Sequence, residues 1–386
     1  MVEASCTIDP RRLRHIGSGT YSDVFEIMDG NRSTKKVLRL SYYDEHLLKS
    51  ILKAISSAKD VEAAEREAKK TLDADPINVE KKMAAITNAL IEKRIAPNYV
   101  RVYGTKDCLN FYHHLERGGV IPRTRTREFA AEGITYQKRY NNIKILDKYT
   151  SNLTDFIADM KGRSKSISSI QGVYRDIVFI AIFFQVFYSL LALQTYVEAF
   201  RHNDLSTNNI LIEIDAEKLK RFPEYHPSRL PYTTFTVGRD VFYVPDIGID
   251  VAIGDFDFVS GEKVLVPGLE HMKVLRNVKV KHGNMLNVKY HINPGENLSY
   301  DAQYFLAVFK KVAGEALMKT IPETSAFVAR VTKDTRGKNR GRNSVTALFP
   351  RNLIRDQFFK RLRWPRLGNP KNLGKYDVSN GGKEII

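Results

Sequence analysis

The chain has 386 residues, enough for one large core or two globular units, and its 43% hydrophobic residues without repetitive tracts exclude a disordered tail or a solenoid. Lysine and arginine (61) outnumber aspartate and glutamate (44), and the formal net charge of +17 favours contact with polyanions or acidic proteins. The two cysteines, Cys6 and Cys108, give neither a disulfide framework nor a zinc spacing, so we expect a reducing compartment.

A glycine hairpin is the first predicted feature. The first ten residues lack the basic and apolar pattern of a signal peptide, so secretion is not expected. Residues 16–27 predict a strand, a Gly-Ser-Gly turn and a second strand, and a turn at 29–31 leads into a third strand at 33–40. Backbone N–H groups of such a glycine turn can approach phosphate oxygens because glycine has no side chain to block them. An ordinary hairpin with two glycines is the alternative.

Helices and short strands are predicted next. Residues 60–92 are rich in Ala, Glu, Lys and Leu and are interrupted at Asp75-Pro76, which predicts one helix before the proline and another at 79–95. Strands are predicted at 100–104 and 134–146. We expect a boundary between two lobes near Tyr149.

The second half is predicted to be rich in helices. Its longest helix, at 174–198, contains an uncharged stretch at 177–197 that is long enough to cross a bilayer. Polar residues within the stretch and the polar loop after it favour a buried helix, so no membrane span is expected. Short strands at 210–214 and 251–253 flank an insertion, and an apolar helix is predicted at 300–312.

Two polar segments carry residues suited to chemistry. In the loop 202–209, Asp204 stands five residues before Asn209, between the buried helix and a strand. A carboxylate in this position can accept a hydrogen bond from an incoming hydroxyl and orient it, while an asparagine oxygen can bind Mg²⁺ without adding charge. Farther on, Asp255 follows an apolar strand, where its carboxylate can also bind Mg²⁺. An Asn/Asp-rich cap or turn is the alternative for the first segment.

The order of these motifs resembles the protein kinase superfamily. A glycine-rich loop, a lysine on the third strand, an H-x-D-x-x-x-x-N loop and a D-F-x element follow one another over about residues 15–312. The phrases at 97–100, 185–193 and 202–205 resemble divergent Ser/Thr kinases of large nucleocytoplasmic DNA viruses, either iridovirus-like or poxvirus-like. The resemblance implies ATP and Mg²⁺ or Mn²⁺ as cofactors, protein substrates, and a location in the virion or the host cytoplasm.

The resemblance also implies an α+β, two-lobed protein-kinase-like fold. Residues 1–148 would form a small β-rich N-lobe and residues 149–329 a larger helical C-lobe, with a basic extension at 330–386 partly packed on the C-lobe. The implied catalytic residues are Asp204, Lys36 and Asn209. The implied nucleotide contacts are Gly17, Ser18, Gly19, Val24, Lys36, Glu80, Asp147 and Tyr149. The implied metal ligands are Asn209 and Asp255.

Two of these implied roles have competing residues. Lys35 is the alternative to Lys36 as the phosphate-pairing lysine, because the hairpin before it is short. Glu67 is the alternative to Glu80 as the acid that pairs with this lysine, and both could be solvent-facing helix acids. Asp147 and Tyr149 are implied by position alone, in the hinge that would meet adenine.

Several positions depart from the family pattern. Asn203 replaces the usual arginine, which argues against control by a phosphorylated activation loop. Ser206 replaces a lysine, Asp257 replaces the glycine of D-F-G, and no A-P-E signature follows. Asp301 resembles the aspartate that holds the catalytic loop from a buried helix, with a surface helix cap as the alternative.

These departures keep two other functions open. One is a pseudokinase scaffold that binds proteins or nucleic acid, and the other is a small-molecule kinase of the same fold. The basic stretch 330–342 could contact nucleic-acid phosphates or acidic virion proteins, or it could be a solvated loop.

Overall fold

A computed structural model of the chain describes residues 5–19, 22–43, 75–122, 140–163, 173–222, 229–272, 298–333, 349–364 and 370–381, with a few single residues between these ranges. Five predicted features lie wholly or partly outside the described residues. They are Glu67, most of the helix before Pro76, the hairpin tip at 20–21, the start of the strand predicted at 134–146 and most of the basic stretch 330–342. The chain divides into two compact units. Unit 1 contains Met1–Ala85 and Arg101–Lys148, and unit 2 contains Ile86–Val100 and Tyr149–Ile386.

Unit 1 is built on a five-stranded antiparallel sheet. Its strands are β1 Leu13–Ser18, β2 Ser22–Asp29, β3 Arg32–Tyr42, β4 Val102–Leu109 and β5 Tyr140–Asp147. Their order across the sheet is β1-β2-β3-β5-β4. Gly30 makes the turn between β2 and β3 at a φ of +57°, a backbone conformation that glycine adopts without steric cost. The predicted succession of strand, glycine turn and strand is therefore present.

The sheet has two different faces because successive side chains of a strand point in opposite directions. The core face is apolar and packs against the helix α1 Phe111–Arg117. Its strand residues are Leu13, Phe25, Ile27, Leu38, Leu40, Tyr42, Cys108, Ile143 and Ile145. The opposite face, here called the Val24 face, carries Val24, Arg39 and Lys144 side by side on β2, β3 and β5.

A disulfide joins the start of unit 1 to the edge strand β4. Cys6 and Cys108 are 102 residues apart in sequence, yet their Cα atoms lie 5.5 Å apart. The expectation that the two cysteines form no disulfide framework is therefore wrong. Their spacing could not reveal the pairing, because they meet only once the whole sheet of unit 1 is assembled.

One helix contributes residues to both units. The helix α2 Pro76–Glu92 begins three residues earlier than predicted, with Asp75 before it. The Asp75 carboxylate accepts a hydrogen bond from Ile77 N at 2.8 Å, which satisfies one of the free N–H groups at the helix start. The division between the units falls inside this helix, after Ala85.

Unit 2 is mostly helical. Its helices are α3 Leu153–Ala158, α4 Val173–Tyr196, α5 Ala216–Arg221, α6 Tyr300–Thr320, α7 Pro322–Lys333 and α8 Pro350–Ile354, followed by the 3₁₀ helix Gln357–Arg363. The predicted apolar helix α4 is long enough to cross a membrane, but its most apolar window is completely buried inside the protein. The Phe183 ring lies 4.8 Å from Phe309 and 6.2 Å from Phe358, so α4 is the central core helix of this unit.

Two small sheets complete unit 2. The strands β6 Ser151–Asn152, β7 Ile210–Ile214 and β10 Ile249–Ile253 form one sheet in the order β10-β7-β6. The predicted insertion between β7 and β10 contains the hairpin of β8 Tyr232–Val237 and β9 Asp240–Pro245, and β11 Asn372–Asp377 adds to it in parallel with β8. Because Ile210 is paired with Ile253, the loop before β7 lies beside the segment after β10.

The predicted α+β class is confirmed. The smaller unit is rich in strands and the larger unit is rich in helices, as the motifs implied.

Candidate active site

The loop that contains Asp204 is held by a buried carboxylate. Asp301, in the first turn of α6, accepts hydrogen bonds from His202 N at 2.7 Å and from Asn203 N at 2.8 Å. Asp301 is completely buried, and this burial raises the pKa of its carboxyl above the ordinary value. Its position is that of a residue that holds the loop, rather than that of a surface helix cap. Asn203 has a φ of +64°, a left-handed conformation that asparagine tolerates better than most residues.

Asp204 and Asn209, the two candidate residues of this loop, contact each other. The Asn209 side-chain amide Nδ2 donates to Asp204 O at 2.7 Å and to Asp204 Oδ2 at 3.0 Å. The other carboxylate oxygen, Oδ1, accepts a hydrogen bond from the Tyr304 hydroxyl at 3.4 Å. Asn209 in the loop and Tyr304 on α6 thus each bind one oxygen of the Asp204 carboxylate. Because the Asn209 nitrogen is engaged with Asp204, its amide oxygen can serve as a metal ligand.

Sequence reasoning missed Tyr304. It lies three residues after Asp301 on α6, so both side chains project from neighbouring positions of the helix. This spacing was a usable signal, since the residue that holds the loop and a residue that contacts Asp204 would share one helix face.

Asp255 follows β10 and is linked to the same loop. Gly254 N donates to Asn209 O at 3.0 Å, and the His202 ring nitrogen Nε2 donates to Gly254 O at 3.0 Å. Asp255 has a φ of +60°, an uncommon conformation for a residue with a side chain. The carboxylate oxygens of Asp255 and Asp257 lie within 4.8 Å of one another. With the Asn209 oxygen, they supply the hard oxygen ligands that Mg²⁺ prefers, so the residues present fit this ion.

The segment 258–265, which follows these carboxylates, pairs with the chain that leads into the loop 202–209. Arg201 N donates to Ser260 O at 2.8 Å, and Ser260 N donates back to Arg201 O at 2.9 Å. The Asn203 side-chain amide donates to Phe258 O at 2.7 Å and to the Ser260 hydroxyl at 3.1 Å. Asn203 therefore binds this segment directly, at the position where the family pattern has an arginine.

The glycine hairpin of unit 1 is fixed at its base. Gly19 N donates to Ser22 O at 2.7 Å, and an added Cβ at Gly17 would meet no protein atom within 4 Å. The Ser18 hydroxyl donates to the buried carboxylate of Asp23, on the side of the core face. Val24 lies on the opposite face of β2. The roles of these residues in binding a nucleotide stay predictions.

The structure corrects the predicted pairing of Glu80. Its carboxylate oxygen Oε1 accepts a hydrogen bond from Arg39 Nη1 at 2.8 Å, and Oε2 is bound by Lys144 Nζ. Lys36 does not pair with Glu80, because it lies on the core side of β3, with its Nζ 2.8 Å from the centre of the Tyr103 ring. Burial there lowers the pKa of the Lys36 amine. The alternative, Lys35, is exposed and has a φ of +57°.

Asp147 and Tyr149 stand where the chain passes from unit 1 to unit 2. Asp147 faces Lys36 across β5 and β3, and its carboxylate accepts a hydrogen bond from the Tyr103 hydroxyl at 2.8 Å. Tyr149 is the first residue of unit 2 after this crossing and is half-buried. Their contact with adenine stays a prediction.

Comparison with known proteins supports the resemblance. No protein-family model matches the chain. A curated protein of Acanthamoeba polyphaga mimivirus, named "Putative serine/threonine-protein kinase R400", is 27% identical over 236 residues, which cover 60% of this chain and 44% of that protein. The chain thus spans less than half the length of this relative. The predicted resemblance to divergent viral protein kinases is confirmed by this match.

A solved structure was also found. It is a crystal structure of the kinase domain of PF14_0431, which is 14% identical and matches 65% of this chain and 52% of that one with a TM-score of 0.28. A TM-score this low does not establish a common fold.

Proposed function

We propose that the chain is a protein kinase that transfers the γ-phosphate of ATP to serine or threonine hydroxyls of protein substrates. The observation that carries the proposal is the held carboxylate of Asp204, with Asn209 on one oxygen and Tyr304 on the other. The similarity to a viral protein named as a kinase agrees with it.

The chemistry follows from what these side chains can do. Asp204 accepts a hydrogen bond from the substrate hydroxyl and takes its proton as the hydroxyl oxygen bonds to the γ-phosphorus. The bond between the γ-phosphorus and the bridging oxygen breaks, and ADP leaves with that oxygen. Asn209, Asp255 and Asp257 would hold Mg²⁺ or Mn²⁺. When bound, such an ion neutralises charge on the phosphate oxygens.

The catalytic loop is organised without the lysine that the family places two residues after the aspartate. Ser206 occupies that position, and its backbone N donates to Asp204 O at 2.8 Å. The loop of a scaffold protein would need no such arrangement around Asp204, which favours an enzyme over a pseudokinase. We further propose, from the family resemblance alone, that the enzyme acts in the virion or the host cytoplasm, on virion proteins.

Transfer of radiolabelled γ-phosphate tests the proposal. Purified protein is incubated with labelled ATP, Mg²⁺ or Mn²⁺, and a generic protein acceptor, and phosphoamino acids are identified after hydrolysis. We expect labelled serine or threonine from the wild type and a loss of about a hundredfold or more in Asp204→Asn, the range typical of a lost general base. Glu217→Gln, an exposed acid-to-amide change on α5, is the matched control and keeps full activity.

Three outcomes would contradict the proposal. Full activity in a folded Asp204→Asn protein would exclude the assigned base. No transfer by the wild type with either metal would favour a scaffold. Labelling of a small metabolite hydroxyl, with no labelled protein, would favour a small-molecule kinase.

A further inference from the structure

The alternation of side chains in the unit 1 sheet determines which cations lie on the Val24 face. From residue 36 to residue 42, β3 pairs with β5 without a bulge, so alternate residues fall strictly on opposite faces. Leu38 and Leu40 belong to the core cluster, and Lys36, two residues before Leu38, lies on the same face of β3. Arg39 lies on the opposite face, directly between Val24 and Lys144. Lys36 and Val24 therefore project from opposite sides of the sheet.

Arg39 is tied to the base of the glycine hairpin. Its Nε donates to the Ser22 hydroxyl at 3.2 Å, and Ser22 O accepts the bond from Gly19 N that closes the hairpin. Its Nη1 donates to Glu80. A guanidinium is always charged, and its planar fork of N–H donors matches the geometry of phosphate oxygens. No comparable link joins Lys36 to the hairpin among the described residues, because its amine lies on Tyr103.

Lys144 completes the arrangement from β5. Its side chain is fully buried and binds the second oxygen of Glu80, so two cations share one carboxylate. A buried carboxylate that loses its only partner is strongly destabilising. Because Lys144 stays with Glu80, Arg39 can direct part of its hydrogen bonding to an anion without leaving Glu80 uncompensated.

We propose that Arg39, and not Lys36, is the cation of unit 1 that binds the nucleotide phosphates, with Glu80 and Lys144 as positioning residues. The assignment rests on the proposed kinase function. It replaces the lysine implied by the family resemblance with an arginine three residues later, on the other face of the strand. Val24 and Arg39 then act on one face, the first against apolar parts of the nucleotide and the second against its phosphates.

Nucleotide affinities measured by titration calorimetry test the assignment. ATP and adenosine are titrated into the wild type, Arg39→Ala and Lys36→Ala, with Arg32→Ala as a matched control because Arg32 is an exposed arginine on the same strand. We expect Arg39→Ala to weaken ATP binding by roughly tenfold to a hundredfold, the range of a lost charge-assisted hydrogen bond, and adenosine binding by less than about twofold. Lys36→Ala and Arg32→Ala keep the ATP affinity of the wild type.

The comparison with adenosine separates phosphate binding from support of the fold. An Arg39 that only stabilised the sheet would weaken both ligands equally, which would overturn the assignment. A loss of ATP affinity in Lys36→Ala with none in Arg39→Ala would also overturn it. If Arg39→Ala does not fold, Arg39→Gln gives the same comparison with a neutral side chain of similar length. Arg39→Lys restores part of the ATP affinity, because it keeps the charge but not the fork.

The result also distinguishes this assignment from the proposed function. A wild type that transfers phosphate while Arg39→Ala keeps its ATP affinity overturns the assignment alone. A wild type that neither binds ATP nor transfers phosphate overturns the proposed function and the assignment with it.

Discussion

Reduction of the Cys6–Cys108 disulfide is expected to destabilise unit 1 and to leave unit 2 unchanged. The disulfide closes a loop of 102 residues. In the chain-entropy description, reduction raises the entropy of the unfolded chain, and for a loop of this length it lowers the free energy of unfolding by about 4.7 kcal/mol at 25 °C. Measured losses of stability on removing native disulfides range from about 2 to 5 kcal/mol. Both cysteines of the chain lie in unit 1, so reductant has no other target.

Native-state hydrogen exchange measures this effect in each unit separately. A chain of two units can unfold in more than one step, so a single melting temperature would mix their responses. We expect the slowest amides of β3 and β5 to lose between about 2 and 5 kcal/mol of protection when dithiothreitol is added. The amides of α4 serve as the internal control and stay unchanged. Cys6→Ser, which cannot form the bond, shows the lower protection with or without reductant.

Thiol titration establishes the state of the cysteines in the same samples. Two titratable thiols in the unfolded, untreated protein would show that the disulfide is absent and would refute the reasoning. A fully oxidised protein whose β3 and β5 amides exchange at the same rate after complete reduction would refute the calculated loop contribution instead.

Two further changes test charged groups that the structure places in each unit. Glu26 has a pKa of about 2, below the ordinary 4.5, because Lys148, Ser33 and Arg14 donate hydrogen bonds to its carboxylate. The contribution of this carboxylate to stability is complete above about pH 4.5 and is lost as the pH falls towards 2. Wild-type unfolding temperatures should therefore drop more steeply over this window than those of Glu26→Gln. Parallel curves for the two proteins would contradict the pairing. In unit 2, Asp301→Asn replaces an oxygen that accepts a backbone N–H with a group that can only donate. Its kcat should fall at least about tenfold with little change in the KM for ATP. An unchanged kcat would show that the loop 202–209 keeps its conformation without Asp301.

The loop 202–209 could be singled out from the sequence because its contacts are local. Asp204 and Asn209 were candidates for separate roles, and their five-residue spacing corresponds to two hydrogen bonds within the loop. The pairing of β7 with β10 then brings Asp255 beside this loop, and both strands were visible as short apolar runs. Tyr304 escaped notice because its contact with Asp204 requires the packing of α6, 100 residues away in sequence.

The assignment of Arg39 could not be made from the sequence alone, because it depends on which face of β3 each side chain occupies. The left-handed backbone at Lys35 shifts the phase of β3, so counting from the hairpin turn assigns the following residues to the wrong face. The sequence did hold a signal at Lys144, a single charge between two isoleucines in an apolar strand. A lysine in this setting requires a buried acid, and only the structure shows that the acid is Glu80.

One departure from the family pattern, Asn203 in place of an arginine, has a physical reason in the structure. An arginine at this position would need an acidic or phosphorylated partner to order the segment that follows Asp257. Here the Asn203 amide binds Phe258 O and the Ser260 hydroxyl, and backbone pairing between residues 196–201 and 260–265 continues the contact. Asp301 in turn fixes the backbone of Asn203. One chain of hydrogen bonds therefore runs from the helix α6 through the loop 202–209 to the segment after Asp257, and every link in it is neutral except the buried carboxylate of Asp301 at its origin.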